Sequence, residues 1–307
     1  MTEAPRALAA LREAVNAQLV GKAEVVDLAL TAILAGGHLL LQDIPGVGKT
    51  TLARALAAVV GGGFARVQFT SDLLPSDLIG VNVLDPATGS FGFRPGPIFA
   101  NVVLADEINR TTPKTQSALF EAMEERQVTV DGETRALPSP FFVVATQNPF
   151  DAHGTFALPD SQLDRFLMRL SIGYPDRSTE RAILRQVERT APAAVLDPDG
   201  LNGLIEMTAQ MQMPEIVEEY LLDVVAATRR DSGLVRGVST RAAQALHRAV
   251  RALAVVEGRE YPEFEDVRRL VMPVFAHRLM ARAGHGPGDV ATVDRLRALL
   301  DTIPSPL

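Results

Sequence analysis

The sequence predicts an α/β fold: a parallel sheet between helical layers (αβα), followed by an all-helical C-terminal domain. Three observations predict it. Residues 38–51, His-Leu-Leu-Leu-Gln-Asp-Ile-Pro-Gly-Val-Gly-Lys-Thr-Thr, read as a short apolar strand, a loop of small residues and the start of a helix. The apolar run at 101–105 lacks the alternation of a half-exposed strand, which suits a parallel sheet covered on both faces, and further sheet strands are expected near 64–69, 141–146 and 167–172. Beyond Tyr174-Pro175-Asp176 the strand pattern stops. Arginine and aliphatic residues then recur at helical spacing over about 177–190, 216–230, 239–256 and 264–282. The expected division is a core of 1–175 and a helical domain of 176–307.

The elements follow in order. A helix over about 7–19 leads to Val20 and Gly21. The longest apolar stretch, 28–41, contains Thr31, Gly36, Gly37 and His38 and is shorter than the ~20 residues a membrane span needs. It reads as a helix ending at Gly36-Gly37, then a strand over about 38–42. The N-terminus carries Glu3 and no basic-then-apolar leader, so a secretion signal is not expected and a cytoplasmic protein without membrane insertion is.

The loop after that strand matches the phosphate-loop pattern G-x-x-x-x-G-K-[ST], with Asp43 in place of the first glycine. Successive backbone N–H groups of such a loop face an anion, and the helix that follows adds its positive end. Pro45, Gly46, Val47, Gly48, Lys49, Thr50 and Thr51 form the expected phosphate site. Lys49 is expected to reach the β- and γ-phosphates, and the Thr50 hydroxyl to ligate Mg²⁺. Leu52, Leu56, Val59 and Val60 give the helix its apolar face.

The strand near 101–105 ends in Asp106-Glu107, at the edge where open α/β sheets bind ligands. Asp106 is expected to hold Mg²⁺ through water, and Glu107 to orient and deprotonate the attacking water. The strand near 141–146 ends in Asn148, whose amide can bond both a γ-phosphate and that water; Asn148-Pro149 is also an ordinary turn signal.

Turn signals between short apolar pieces over about 80–98 predict a β-hairpin. Alternation around Asp131-Gly132 predicts a second over about 127–138. Between them, Thr112-Pro113 reads as a capping hydroxyl and a first-turn proline, with Ala118, Leu119, Ala122 and Met123 on one face of the helix. Ser239 likewise reads as a cap, which puts Arg241 in a first helical turn and against the helix dipole.

Composition narrows the classes. The chain has 307 residues, 47% of them hydrophobic, and no cysteine, so disulfides and thiolate metal sites are excluded. The histidines His38, His153, His247, His277 and His285 show no paired ligand spacing and read as packing or surface residues. Net charge is −7, with 13 bases against 18 acids up to Pro175 and 17 against 19 after it, so neither half is a basic nucleic-acid module.

The order of phosphate loop, acidic pair, polar strand end and Leu-Asp-Arg-Phe at 163–166 resembles that of the AAA+ ATPases. Gln-Asp-Ile-Pro-Gly-Val-Gly-Lys-Thr at 42–50, Asp-Glu-Ile-Asn-Arg at 106–110, Pro-Lys-Thr-Gln-Ser-Ala-Leu at 113–119 and Glu-Ala-Met-Glu at 121–124 resemble the MoxR family. So do Ala-Thr-Gln-Asn-Pro at 145–149 and Gln-Leu-Asp-Arg-Phe-Leu-Met at 162–168. The resemblance spans about 20–282, and Asp43 agrees with it.

The resemblance implies an ATPase that binds ATP/ADP with Mg²⁺, assembles as a homo-oligomeric ring (a hexamer is expected) and remodels or matures a protein client. That client can carry a von Willebrand A-type domain. It implies that Val20 and Gly21 lie near the adenine and that the two hairpins face the ring pore; the alternative is that the hairpins are surface ribbons. It implies that Arg165 projects from the subunit edge into the next active site, a task suited to a planar, always-charged guanidinium. The alternative for Arg165 is an ion pair with Asp164 or Asp160 of its own chain. Arg241 resembles the arginine that touches the γ-phosphate from the lid, in its own or a neighbouring subunit; the alternative is a solvated surface arginine. Two other functions stay open: a nucleic-acid-dependent motor of the related helicase branch, and a nucleotide-gated switch with negligible turnover. The missing basic module argues against the first; Glu107, Asn148 and Arg165 argue against the second.

Overall fold

A computed structural model describes residues 3–148, 155–185 and 192–305. Pro149, His153 and the end of the helix expected over 177–190 lie outside the described residues. The chain opens with α1 (Glu3–Gln18) and α2 (Ala23–Leu34), then β1 (Leu39–Gln42) and α3 (Lys49–Val59). It continues through β2 (Phe64–Gln68), α4 (Pro75–Ile79), β3 (Gly80–Leu84), β4 (Phe91–Pro95), β5 (Val102–Asp106) and α5 (Pro113–Glu125). There follow β6 (Gln127–Val130), β7 (Glu133–Ala136), β8 (Phe142–Gln147), α6 (Asp160–Leu163) and β9 (Met168–Leu170). The remainder is helical: α7 (Arg177–Arg185), α8 (Pro198–Gln210), α9 (Glu215–Arg230), α10 (Thr240–Val256), α11 (Phe264–Phe275) and α12 (Val290–Thr302).

Five strands form one parallel sheet in the order β2-β5-β8-β1-β9. Side chains alternate across it with the period of two that strand geometry imposes. Leu39 and Leu41 enter the core shared with α1, α2, α3 and the lid helices, whereas Leu40 joins α5, Val103, Val143 and Ala145 on the other face. The central strands are therefore covered on both faces, with β5 buried along its whole length, while the edge strand β2 stays partly exposed.

The two expected hairpins are present as separate antiparallel ribbons, β3–β4 and β6–β7. They touch each other: the Arg135 guanidinium lies 4.0 Å from the Phe93 ring centroid, and Asn82 Nδ2 donates to Asp131 Oδ2 at 2.8 Å.

Two local expectations meet different outcomes. Ser239 caps α10, its side chain accepting from the Ala242 N–H at 3.0 Å. Thr112 stands at the start of α5, but its hydroxyl caps no backbone N–H; it lies 3.4 Å from Thr115 Oγ1 instead. His38 and His277 are packing residues. His38 Nδ1 accepts from the Val143 N–H at 3.0 Å, so its Nε2–H faces the Met123 carbonyl at 3.1 Å, and burial pushes its pKa down to about 3. Among the described residues no helix is long and apolar enough to cross a membrane, and no group of three or more His, Asp or Glu is placed to hold a metal by itself.

Candidate active site

The carboxyl ends of β1, β2, β5 and β8 open onto a cavity of about 360 Å³. Its lining brings together Pro45, Gly46, Gly48, Lys49, Thr50 and Thr51 with Asp106, Glu107, Thr146 and Asn148, residues drawn from three separate strand ends. Val47 does not line it; its side chain packs against the apolar core. Gly48 has φ 103°, a left-handed backbone that glycine alone adopts without strain, and a Cβ there would stand 2.9 Å from Leu19 Cδ1. α3 begins at the next residue, so its free N–H groups point into the cavity.

Charge in the cavity is tightly partnered. Lys49 Nζ donates to the Asp43 carbonyl at 2.7 Å; burial lowers its pKa, while Asp43, Asp106 and Glu107 oppose that shift. Asp106 Oδ2 accepts from Arg66 Nε and Nη2 at 2.9 and 2.6 Å, and its Oδ1 from Thr146 Oγ1 at 2.7 Å. The same Thr146 hydroxyl accepts from the Glu107 N–H at 2.9 Å. Glu107 sits at φ 57°, ψ 50°, left-handed for a non-glycine residue, a strained geometry that clusters at functional sites. Its Oε2 accepts from Gln68 Nε2 at 3.0 Å and pairs with Arg110 Nε at 3.2 Å.

Thr50 and Asp106 supply hard oxygen donors of the kind Mg²⁺ takes. Asp106 is already engaged by Arg66 and Thr146, which favours contact through a metal-bound water over direct ligation.

Val20 and Gly21 do not line the cavity. Their turn lies beside it, between the loop and α7: Leu19 meets Gly48, and Gly21 faces Thr179 of α7. Arg165 and Arg241 line a different cavity of about 260 Å³, with Arg126, Arg248 and Arg278. There Arg165 Nη2 pairs with Glu124 Oε2 at 3.0 Å and Arg241 Nη2 with Glu124 Oε1 at 2.6 Å. The ion pair considered for Arg165 with Asp164 or Asp160 is absent: Asp164 is held by the buried Arg278 at 2.7 Å and Asp160 by Arg236. Arg241, half exposed, is paired and not merely solvated.

Five neighbours of these residues are not singled out in the sequence: Arg66 on Asp106, Gln68 on Glu107, Thr146 on both acids, Glu124 beneath the two arginines, and Arg278. The last donates to the Asp164, Phe166 and Leu167 carbonyls and so clamps the turn bearing Arg165. Glu124 lay within a recognised motif, and Gln68 ends a predicted strand; Arg278 carried no signal at all.

A parallel sheet whose strand ends converge on a phosphate loop, an adjacent acidic pair and a polar strand end, with a helical lid behind, defines a P-loop ATPase of the AAA+ class. Residues 38–168 match the ATPase family associated with various cellular activities (AAA), and residues 226–298 match the AAA lid domain. The chain is 41% identical to Chaperone MoxR1 of Mycobacterium tuberculosis over 85% of its own length and 72% of that protein's. It is 46% identical to the uncharacterized protein YeaC of Bacillus subtilis over 87% and 85% of the two chains. A crystal structure from Cytophaga hutchinsonii, described as a candidate ATPase, superposes with a TM-score of 0.90 at 32% identity, covering 100% of this chain and 97% of that one. The chain belongs to the MoxR family of AAA+ ATPases and is an ATP hydrolase.

Proposed function

We propose that this ATPase hydrolyses Mg-ATP in a homo-oligomeric ring, with each active site shared between two subunits, and couples turnover to remodelling of a protein client. The core of 1–175 binds nucleotide and the helical part of 176–307 serves as its lid. Loop N–H groups and Lys49 hold the β- and γ-phosphates. Thr50 and Asp106 would hold Mg²⁺, which would supply charge neutralisation at the phosphates. Asn148 orients the attacking water, and Glu107 Oε2 accepts its proton. Release from Arg110 and Gln68 leaves that oxygen free to do so.

The observation that carries the shared site is the placement of Arg165 and Arg241. They converge on one carboxylate, Glu124, in a cavity that shares no lining residue with the phosphate loop's. Two cations gathered at one spot outside their own subunit's cleft are suited to a neighbour's phosphate. The relative named as a chaperone supports a protein client, and the family resemblance a hexamer and a von Willebrand A-type partner domain.

Mixing two inactive variants tests this reading. Arg165→Ala subunits combined with Lys49→Ala subunits are expected to recover activity at junctions where an intact loop meets an intact arginine. Light scattering with ATP checks that the variants co-assemble. Co-assembly without recovery would remove the shared site. Added DNA is expected to leave the rate unchanged; strong stimulation would favour a nucleic-acid motor.

A further inference from the structure

Asp43 stands where the phosphate-loop pattern ordinarily has glycine, and it is 8% exposed. Its carboxylate is saturated with donors. Oδ2 accepts from the Ile172 N–H at 2.6 Å, the Gly173 N–H at 2.8 Å and Ser171 Oγ at 3.0 Å; Oδ1 accepts from the Ile44 N–H at 3.0 Å. Residues 171–173 leave β9 and lead directly into α7. The same connection is held once more at Tyr174, whose carbonyl accepts from Lys22 Nζ at 2.8 Å.

Asp43 faces the other way through its main chain, where its carbonyl accepts from Lys49 Nζ. An ammonium carries three donors, so one is committed to Asp43 and two remain for phosphate oxygens. One residue thus touches the loop lysine with its carbonyl and the core-to-lid connection with its carboxylate. Glycine could make the first contact but not the second.

We propose that Asp43 is a positioning residue that bolts the opening of the phosphate loop to the core-to-lid connection, so that loop occupancy and the placement of α7 are set together. This rests on the reading of the loop as the ATP site. A buried carboxylate with four donors resists small adjustments, because losing any of them leaves a donor unsatisfied. A shift of the loop on binding phosphate is therefore passed to 171–173 instead of being absorbed locally.

The test uses the full chain with Asp43→Asn, Asp43→Gly and Ser171→Ala. Asn keeps the size but must turn its NH₂ toward donors on one side or the other. Gly supplies the residue usual in this loop, and Ser171→Ala removes one donor only. In the wild type, Mg-ATP is expected to slow amide hydrogen exchange across 177–185. In both Asp43 variants ATP affinity stays near wild type, that protection disappears, and kcat falls on the order of 10- to 100-fold through misplacement of the reacting groups. Ser171→Ala shifts the same two readouts in the same direction by less, and carries the test if the Asp43 variants do not fold.

Three outcomes overturn the proposal: wild-type kcat and protection in the variants, no ATP-dependent protection in the wild type, or ATP binding lost as the chief defect, which would make Asp43 a shaper of the loop alone. Lys49→Ala is the separate control. Undiminished ATP binding there would sink the site assignment itself, whatever Asp43 does.

Discussion

Glu107 is fixed at the candidate site by a few single-atom contacts. Its left-handed backbone, the Thr146 hydroxyl on its N–H, and Gln68 and Arg110 on its carboxylate hold it at the mouth of the cavity beside Asp106. Gln at this position preserves shape and one acceptor oxygen but cannot take up a proton at neutral pH. Glu107→Gln is therefore expected to bind ATP with wild-type affinity and to retain it unhydrolysed. Radiolabelled ATP recovered intact after many wild-type turnover times checks this; turnover near wild type would exclude Glu107 as the base. The acidic pair was legible because two carboxylates at the end of an apolar strand are a local pattern. Arg66 was not legible, because β2 and β5 pair across some 40 residues of chain and nothing local announces which strands will be neighbours.

At the scale of elements, capping separates two helices that look alike in sequence. Ser239 and Thr112 are both hydroxyl residues preceding an amphipathic run, yet only Ser239 bonds a free N–H. Ser239→Ala is expected to lower stability by about 1 kcal/mol, and Thr112→Ala by less than about 0.5 kcal/mol. Denaturant titration of the two variants checks the contrast; equal losses would contradict the geometry. The hairpins were legible from turn residues and alternation. Their mutual contact through Arg135 and Phe93 was not, since it joins ribbons separated along the chain by a sheet strand and a helix.

Across the whole molecule, two histidines buried neutral make stability depend on pH. His38 is held at about pH 3 and His277 well below 6.5; in both, burial is the main cause, with Arg126 and Arg278 respectively adding to it. The unfolded chain takes up these protons as pH falls below 6.5, while the native state does not. The contribution of these two histidines is therefore fully present above pH 6.5 and is lost as pH falls toward 3, with a slope approaching about 1.4 kcal/mol per pH unit for each. Unfolding followed from pH 7.5 to 5 checks the sign, and His277→Gln is expected to flatten the decline. A decline equally steep in wild type and His277→Gln would contradict the burial of His277.

Read alone, the sequence determined the strands near 38–42, 64–69, 101–105, 141–146 and 167–172, the two hairpins, the switch to helices after Pro175, and membership of the MoxR family. All of these are written in short-range apolar period, turn chemistry or contiguous motifs, so a few neighbouring residues suffice to specify them. Only the tertiary structure decided that Lys49, Asp106, Glu107 and Asn148 line one cavity while Arg165 and Arg241 line another, that Glu124 joins those two arginines, and that Asp43 reaches 171–173. Each of these depends on strand order and on side chains meeting across 40 or more residues of chain. Such meetings are set by how the sheet is stacked against its helices, a property of the packed whole that no window of sequence contains.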